Sequence, residues 1–145
     1  MSENTDNPIQ HKFTNPTTRT ELQITSLNTE DTSLRNVNKK LDDNLTNVKI
    51  LNINESYIPN LRILGSNIRN LTVLNIPHCG VKNLDGLSIC QNIKEIYLPF
   101  NDVETIANIM FLVNLTVIDF EANNITDLKE LDYLSILSNL KRVSF

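Results

Sequence analysis

The feature that most constrains this chain is a motif that returns at a near-constant interval. Leu71-Thr-Val-Leu74-Asn-Ile76 is followed by Cys79, Val81, Leu84 and Leu87. Ile93-Lys-Glu-Ile96-Tyr-Leu98 is followed by Asn101, Val103, Ile106 and Ile109. Leu115-Thr-Val-Ile118-Asp-Phe120 is followed by Asn123, Ile125, Leu128 and Leu131. These copies begin 22 residues apart, at 71, 93 and 115. An earlier copy runs through Val48, Leu51, Ile53, Ser56, Ile58, Leu61 and Leu64, and a last one through Leu140, Val143 and Phe145. A unit this short cannot bury its own apolar edge, so neighbouring units must stack.

Each apolar position has a task in such a stack. The fourth and sixth positions of a unit share one face of a short strand. Successive strands then lie side by side in a parallel sheet on the concave side. The ninth position turns the chain off the strand and leaves backbone groups inside, away from water. Ser56, Cys79, Asn101 and Asn123 fill that column. They are expected to form a structural ladder between coils, and losing one rung should cost about 1–3 kcal/mol. Asn makes up about one residue in seven, and the ladder accounts for part of that excess. The return leg is too short for full α-helices, so 3₁₀ turns or one-turn helices are expected on the convex side. The stretch from Asp127 to Asn139 is longer. Its Leu128, Leu131, Leu134 and Leu137 predict a true helix capped by Thr126 or Asp127. The period and the division of labour specify an α/β solenoid, a right-handed leucine-rich-repeat superhelix.

The ends depart from this grammar. Residues 1–18 are polar and include two Pro, and they are expected to be disordered. Residues 19–47 read as an irregular first repeat or an N-terminal cap, with Leu22-Gln-Ile24 as a first strand. Leu34, Val37, Leu41 and Leu45 follow at helical spacing. Repeats start near 48, 71, 93, 115 and 140, and the last is truncated at Phe145. A bare strand edge invites aggregation, so further repeats or a partner are expected to cover the C-terminal edge.

Charge and chemistry exclude several functions. The net charge is -4 with a pI of about 5.1, and 13 basic residues are scattered among 17 acidic ones. Nucleic-acid binding needs a field of Lys and Arg, so it is not expected. Cys79 and Cys90 supply neither a disulfide framework nor a zinc quartet. There is no signal-peptide core and no bilayer-length apolar run, so a cytoplasmic protein without membrane insertion is expected. Asp119 and Glu121 share one strand face but have no desolvated pocket to separate their pKa values. His78 has no second metal ligand suitably placed. Gly65, Gly80 and Gly86 form no phosphate-cradling cluster. No enzyme, cofactor or metal is expected.

What remains is binding. The exposed concave positions are the third, fifth and seventh of each unit, with the eighth at the rim. The middle of that surface offers Val73, Val117, Tyr97 and Phe100 beside Glu95, Asp119 and Glu121, and His78 and Arg142 complete the expected partner-binding set on the concave face. Exposed aromatics beside charge are the usual makings of an interface hot spot. The acidic side favours a basic protein partner, such as a helix laid along the groove.

The runs Leu61-Arg-Ile-Leu-Gly-Ser-Asn-Ile-Arg-Asn-Leu71-Thr-Val-Leu74 and His78-Cys-Gly-Val-Lys-Asn-Leu-Asp85-Gly-Leu87 resemble the leucine-rich repeat-containing protein 56 family. So do Lys94-Glu-Ile-Tyr-Leu with Phe100-Asn-Asp-Val103, and Val117-Ile-Asp-Phe-Glu-Ala-Asn123-Asn-Ile with Asp127-Leu-Lys-Glu-Leu-Asp-Tyr133-Leu. The irregular opening at Leu22-Gln-Ile24 and Glu30-Asp-Thr-Ser-Leu34 is similar too, and the likeness covers about residues 20–145. It implies a role in cilia and flagella, in the assembly of outer dynein arms and their delivery by intraflagellar transport. Repeats of this length also build regulatory subunits of cytosolic phosphatases and protein-gripping scaffolds of ribonucleoproteins, and the sequence leaves both open.

Overall fold

The computed structural model describes residues 21–25 and 46–145. The expected disordered start and the helical spacing at Leu34, Val37, Leu41 and Leu45 lie outside the described residues. Among the described residues six strands form one parallel sheet in chain order: β1 (Glu21–Thr25), β2 (Ile50–Asn54), β3 (Val73–Asn75), β4 (Glu95–Tyr97), β5 (Val117–Asp119) and β6 (Arg142–Ser144). The register is the repeat itself. Leu51, Leu74, Ile96, Ile118 and Val143 pair in succession across β2 to β6. The four through Ile118 are fully buried, so the fourth positions stack in one interior row.

A second interior row comes from the sixth positions, Ile53, Ile76, Leu98 and Phe120, all buried. The first positions, Val48, Leu71, Ile93 and Leu115, close the core from the N-terminal end of the strands. From the return legs, Ile58, Leu61, Val81, Leu84, Val103 and Ile106 fill its far side. Burying a Leu or Ile side chain is worth about 1.5–3 kcal/mol, so these aligned rows dominate what holds the coils together. The alternation within β3, β4 and β5, half-buried, buried, half-buried, leaves one face of the sheet to solvent.

The return legs form 3₁₀ turns at Leu61–Leu64, Asn67–Asn70, Leu87–Ile89 and Ala107–Phe111. Asn60 caps the first of them, its Oδ1 accepting from the Arg62 N–H at 2.9 Å. The longest return leg differs from the expectation of a true helix. Leu128–Ile136 is also 3₁₀, capped by Asp127, whose Oδ1 accepts from the Lys129 N–H at 2.9 Å. The reason lies in the spacing: Leu128, Leu131, Leu134 and Leu137 recur every third residue, which is the 3₁₀ period and not the 3.6 of an α-helix. The same segment leaves two apolar repeat positions outside the core. Leu128 is 79% exposed and Leu131 37%, whereas Leu137 is buried at 4%. This segment packs on the Ala107–Phe111 turn, which leaves Leu128 and Leu131 facing outward.

Candidate protein-binding face

The ninth-position column closes the coils against one another. Asn101 is buried at 5%. Its Oδ1 accepts from the Cys79 and Val81 N–H groups, each at 3.0 Å, and its Nδ2 donates to Ile76 O at 2.7 Å and Leu98 O at 3.0 Å. Asn123 repeats this one coil later, accepting from Val103 N–H at 3.0 Å and donating to Leu98 O at 2.8 Å and Phe120 O at 3.0 Å. The Cys79 thiol donates to Pro77 O at 3.1 Å and Ile53 O at 3.5 Å, and the Ser56 backbone N–H points at it. Burial pushes the Cys79 thiol above its ordinary pKa, outweighing the Ser56 bond that favours the thiolate. Ser56 itself uses its hydroxyl on Asn54 O at 2.8 Å.

Immediately before each ladder residue the backbone is left-handed. Glu55, His78, Phe100 and Ala122 have φ of 49, 52, 58 and 54°. Such a conformation costs a non-glycine residue about 1–2 kcal/mol, and here it recurs in four successive coils because the chain must reverse to aim the ninth side chain inward. Identical backbones in adjacent coils bring side chains into register. The His78 and Phe100 rings stack with centroids 4.5 Å apart and an interplanar angle of 4°. Phe100 is 48% exposed, so this aromatic step stands at the C-terminal rim of the sheet.

On the sheet itself, Val73, Glu95 and Val117 lie side by side in register, as do Asn75, Tyr97 and Asp119. Tyr97 is the hub. Its hydroxyl donates to Glu95 Oε2 at 2.8 Å and accepts from Arg142 Nη2 at 3.3 Å. The Glu95 hydrogen bond is the main cause that holds the phenol above its ordinary pKa, with burial and the Glu95 charge adding and Arg142 opposing. Strands β4 and β6 are therefore linked across β5 by one aromatic side chain. Asp119 Oδ1 accepts from the Glu121 N–H at 2.9 Å, which fixes the loop carrying that exposed acid. Among the described residues no group of three His, Cys, Asp or Glu is placed to hold a metal, and no helix is long and apolar enough to cross a membrane.

Two polar networks escaped the sequence reading. Toward β1 the face is an amide relay: Asn75 Nδ2 donates to Asn52 Oδ1 at 3.3 Å, and Asn52 Nδ2 donates to Glu21 Oε1 at 2.9 Å. Gln23 Nε2 donates to Asn54 Oδ1 at 3.0 Å beside it. At the N-terminal ends of the strands runs a second Asn column. The Nδ2 atoms of Asn70, Asn92, Asn114 and Asn139 donate to Thr46, Arg69, Gln91 and Val113 carbonyls of the preceding coil, at 2.6–3.2 Å. The signal was present, since Asn precedes the first apolar position of every unit: Asn47, Asn70, Asn92, Asn114 and Asn139.

The comparisons with known proteins agree with this architecture. No protein-family model matches the chain. It is 35% identical over 96 residues to leucine-rich repeat-containing protein 56 of Mus musculus, a match covering 66% of this chain and 17% of that protein. The chain thus matches less than a fifth of its relative's length. In structure it is similar to internalin C2 of Listeria monocytogenes, with a TM-score of 0.62, 26% identity, and coverage of 70% of this chain and 44% of that one. A chain of the Drosophila melanogaster SNF/U2A′ complex matches with a TM-score of 0.51 at 16% identity, covering 83% and 71% of the two chains, which speaks to the fold alone. From the stacked rows, the Asn ladder and these likenesses, the chain belongs to the leucine-rich-repeat proteins and is a relative of leucine-rich repeat-containing protein 56.

Proposed function

We propose that this chain is an adaptor that holds a protein partner on its concave face during assembly or intraflagellar transport of axonemal outer dynein arms. A protein-interaction scaffold is what the repeat fold and its relatives support, and the ciliary role is the reading that the resemblance to leucine-rich repeat-containing protein 56 implies. The observation that carries the site is the Tyr97 hub. A phenol held between Glu95 and Arg142, with the His78–Phe100 step beside it, is a rigid amphipathic surface that needs little further ordering on binding. Val73 and Val117 supply apolar area on either side, and Glu95, Asp119 and Glu121 give the face an acidic cast suited to a basic partner segment. The reaction class is binding alone, with no cofactor.

Affinity capture from ciliated cells tests this reading. The wild-type chain should retain dynein-arm and transport-train components, and Tyr97→Ala with Phe100→Ala should release them while its thermal midpoint stays near that of wild type. Recovery of a phosphatase catalytic subunit or of splicing proteins in their place would replace the ciliary role. Unchanged capture by the double variant would remove the concave face as the site.

A further inference from the structure

The sheet carries opposite charge at its two ends. Where the coils run into the strands, the chain reads Thr46-Asn-Val-Lys49, Arg69-Asn-Leu-Thr72, Gln91-Asn-Ile-Lys94, Val113-Asn-Leu-Thr116 and Ser138-Asn-Leu-Lys141. This N-terminal rim holds Lys49, Arg69, Lys94 and Lys141 without one carboxylate, in a chain whose net charge is -4. Where the coils leave the strands, the fifth to eighth positions hold Glu55, Asp119 and Glu121 without Lys or Arg.

Column two explains why the cations stand free. It alternates Lys49, Thr72, Lys94, Thr116, Lys141. Each Thr hydroxyl is tied to the coil before it: Thr72 Oγ1 donates to Lys49 O at 3.0 Å, and Thr116 Oγ1 to Lys94 O at 2.9 Å. The same Lys49 and Lys94 carbonyls also accept the backbone N–H of that Thr and of the residue after it. A Lys side chain has no such local partner and projects outward. Lys49, Lys94 and Lys141 are all exposed, and among the described residues the ion pair formed is Arg62–Asp85, elsewhere in the fold. Between Lys49 and Lys94 lies an open groove of about 360 Å³, lined also by Asn47, Asn70, Thr72 and Asn92.

We infer that this rim is a second docking seam, which takes an acidic α-helical segment of a protein partner laid across the coils. Parallel strands lie about 4.8 Å apart, so lysines in alternate coils repeat at about 10 Å. On an α-helix, residues seven apart share a face and are separated by about 10.5 Å, so carboxylates in heptad spacing meet successive lysines. An extended strand covers that distance in three residues, but its third residue points to the opposite face. Long polyanions such as nucleic acid are disfavoured by the acids at the other rim and by the net charge. The seam does not use Tyr97 or Phe100, so it stands or falls apart from the concave-face reading.

The test is fluorescence anisotropy of the full chain with a labelled helical peptide carrying Glu at heptad spacing, against a scrambled peptide of the same composition. The heptad peptide should bind at low salt, weaken as salt rises, and lose about tenfold or more in affinity to Lys94→Glu, since reversing one charge sets like charges together. Lys49→Glu should act likewise, and Tyr97→Ala with Phe100→Ala should leave peptide binding unchanged. All three variants alter side chains outside the core, and circular dichroism checks that they fold. Absence of binding at low salt, equal binding of the scrambled peptide, or wild-type affinity in Lys94→Glu overturns the seam. So does a single-stranded oligonucleotide of equal charge binding the rim where the peptide does not.

Discussion

Asn101 accepts the backbone N–H of Cys79, one coil earlier, through an Oδ1 that also accepts from Val81, both at 3.0 Å. One amide thus satisfies two buried donors of its neighbour, while its Nδ2 serves the Ile76 and Leu98 carbonyls. Asn101→Ala leaves those four backbone groups without that partner and should cost about 3 kcal/mol or more, because an unmade buried bond costs about 1–3 kcal/mol per group. Asn101→Asp is the sharper comparison. It keeps the acceptor but turns a second oxygen toward two carbonyls, so it should be no better than Ala near neutral pH. Urea unfolding of the two variants measures this, and a loss below that of an ordinary surface change would mean that the ladder does not hold the coils together.

The return legs give a paired prediction. Leu98 is fully buried in the sixth-position row, and Leu98→Ala should destabilise by about 2–5 kcal/mol through the cavity it opens. Leu128 is equally a leucine at a repeat position, yet it is 79% exposed. Leu128→Ala should therefore fall within about 0.5 kcal/mol of wild type. Equal losses at both sites would mean that Leu128 is covered in solution.

These two leucines mark how far the sequence could be read. The interior rows through Leu74, Ile96 and Ile118 follow from a strict period, because a one-residue slip would put every core side chain on the solvent face. The ninth column is legible for a related reason: only residues that can both donate and accept serve a backbone turned away from water. The Asp127–Asn139 leg is ambiguous in the sequence because apolar spacing of three fits one face of an α-helix as well as a 3₁₀ run, and spacing alone does not say which side of a turn has a neighbour to pack on. The Tyr97 hub needs Arg142, 45 residues away, and no local pattern reports a contact between side chains two strands apart. The left-handed eighth column was hidden for a different reason. Glu, Phe and Ala have no sequence signature for φ above zero and a single His is a weak one, so nothing in the sequence sets Glu55, His78, Phe100 and Ala122 apart from ordinary rim residues.

That column makes its own prediction in two directions. Ala122 is exposed at φ 54°, so Ala122→Gly removes backbone strain and touches no core contact. It should stabilise by about 0.5–1 kcal/mol, the strain relieved exceeding the chain entropy that glycine adds. Gly86 is the converse, at φ 100°, where a Cβ would lie 2.9 Å from the Arg62 backbone. Gly86→Ala should destabilise by more than 1 kcal/mol or so. Thermal midpoints decide it, and a loss of stability in Ala122→Gly would show that the repeated turn is not strained.

Alkaline pH should loosen the coils, and the sign follows from the buried thiols. Burial pushes Cys90 from the ordinary 9.0 up to about 12. Between those values the unfolded chain has released a proton that the folded chain keeps. Stability therefore falls as pH rises. The contribution is fully present below about pH 9 and is lost as pH climbs toward about pH 12. Cys79 and Tyr97 are raised in the same direction and steepen the same slope. Urea midpoints taken from near-neutral to alkaline pH should decline across that window, and Cys90→Ala should decline less steeply than wild type. The same burial keeps both thiols protonated and covered near neutral pH, so a disulfide reagent should modify them slowly in the folded chain and rapidly in urea. A flat alkaline profile in wild type, or fast labelling of the native protein, would show that Cys90 is reached by solvent and that the coils around it open.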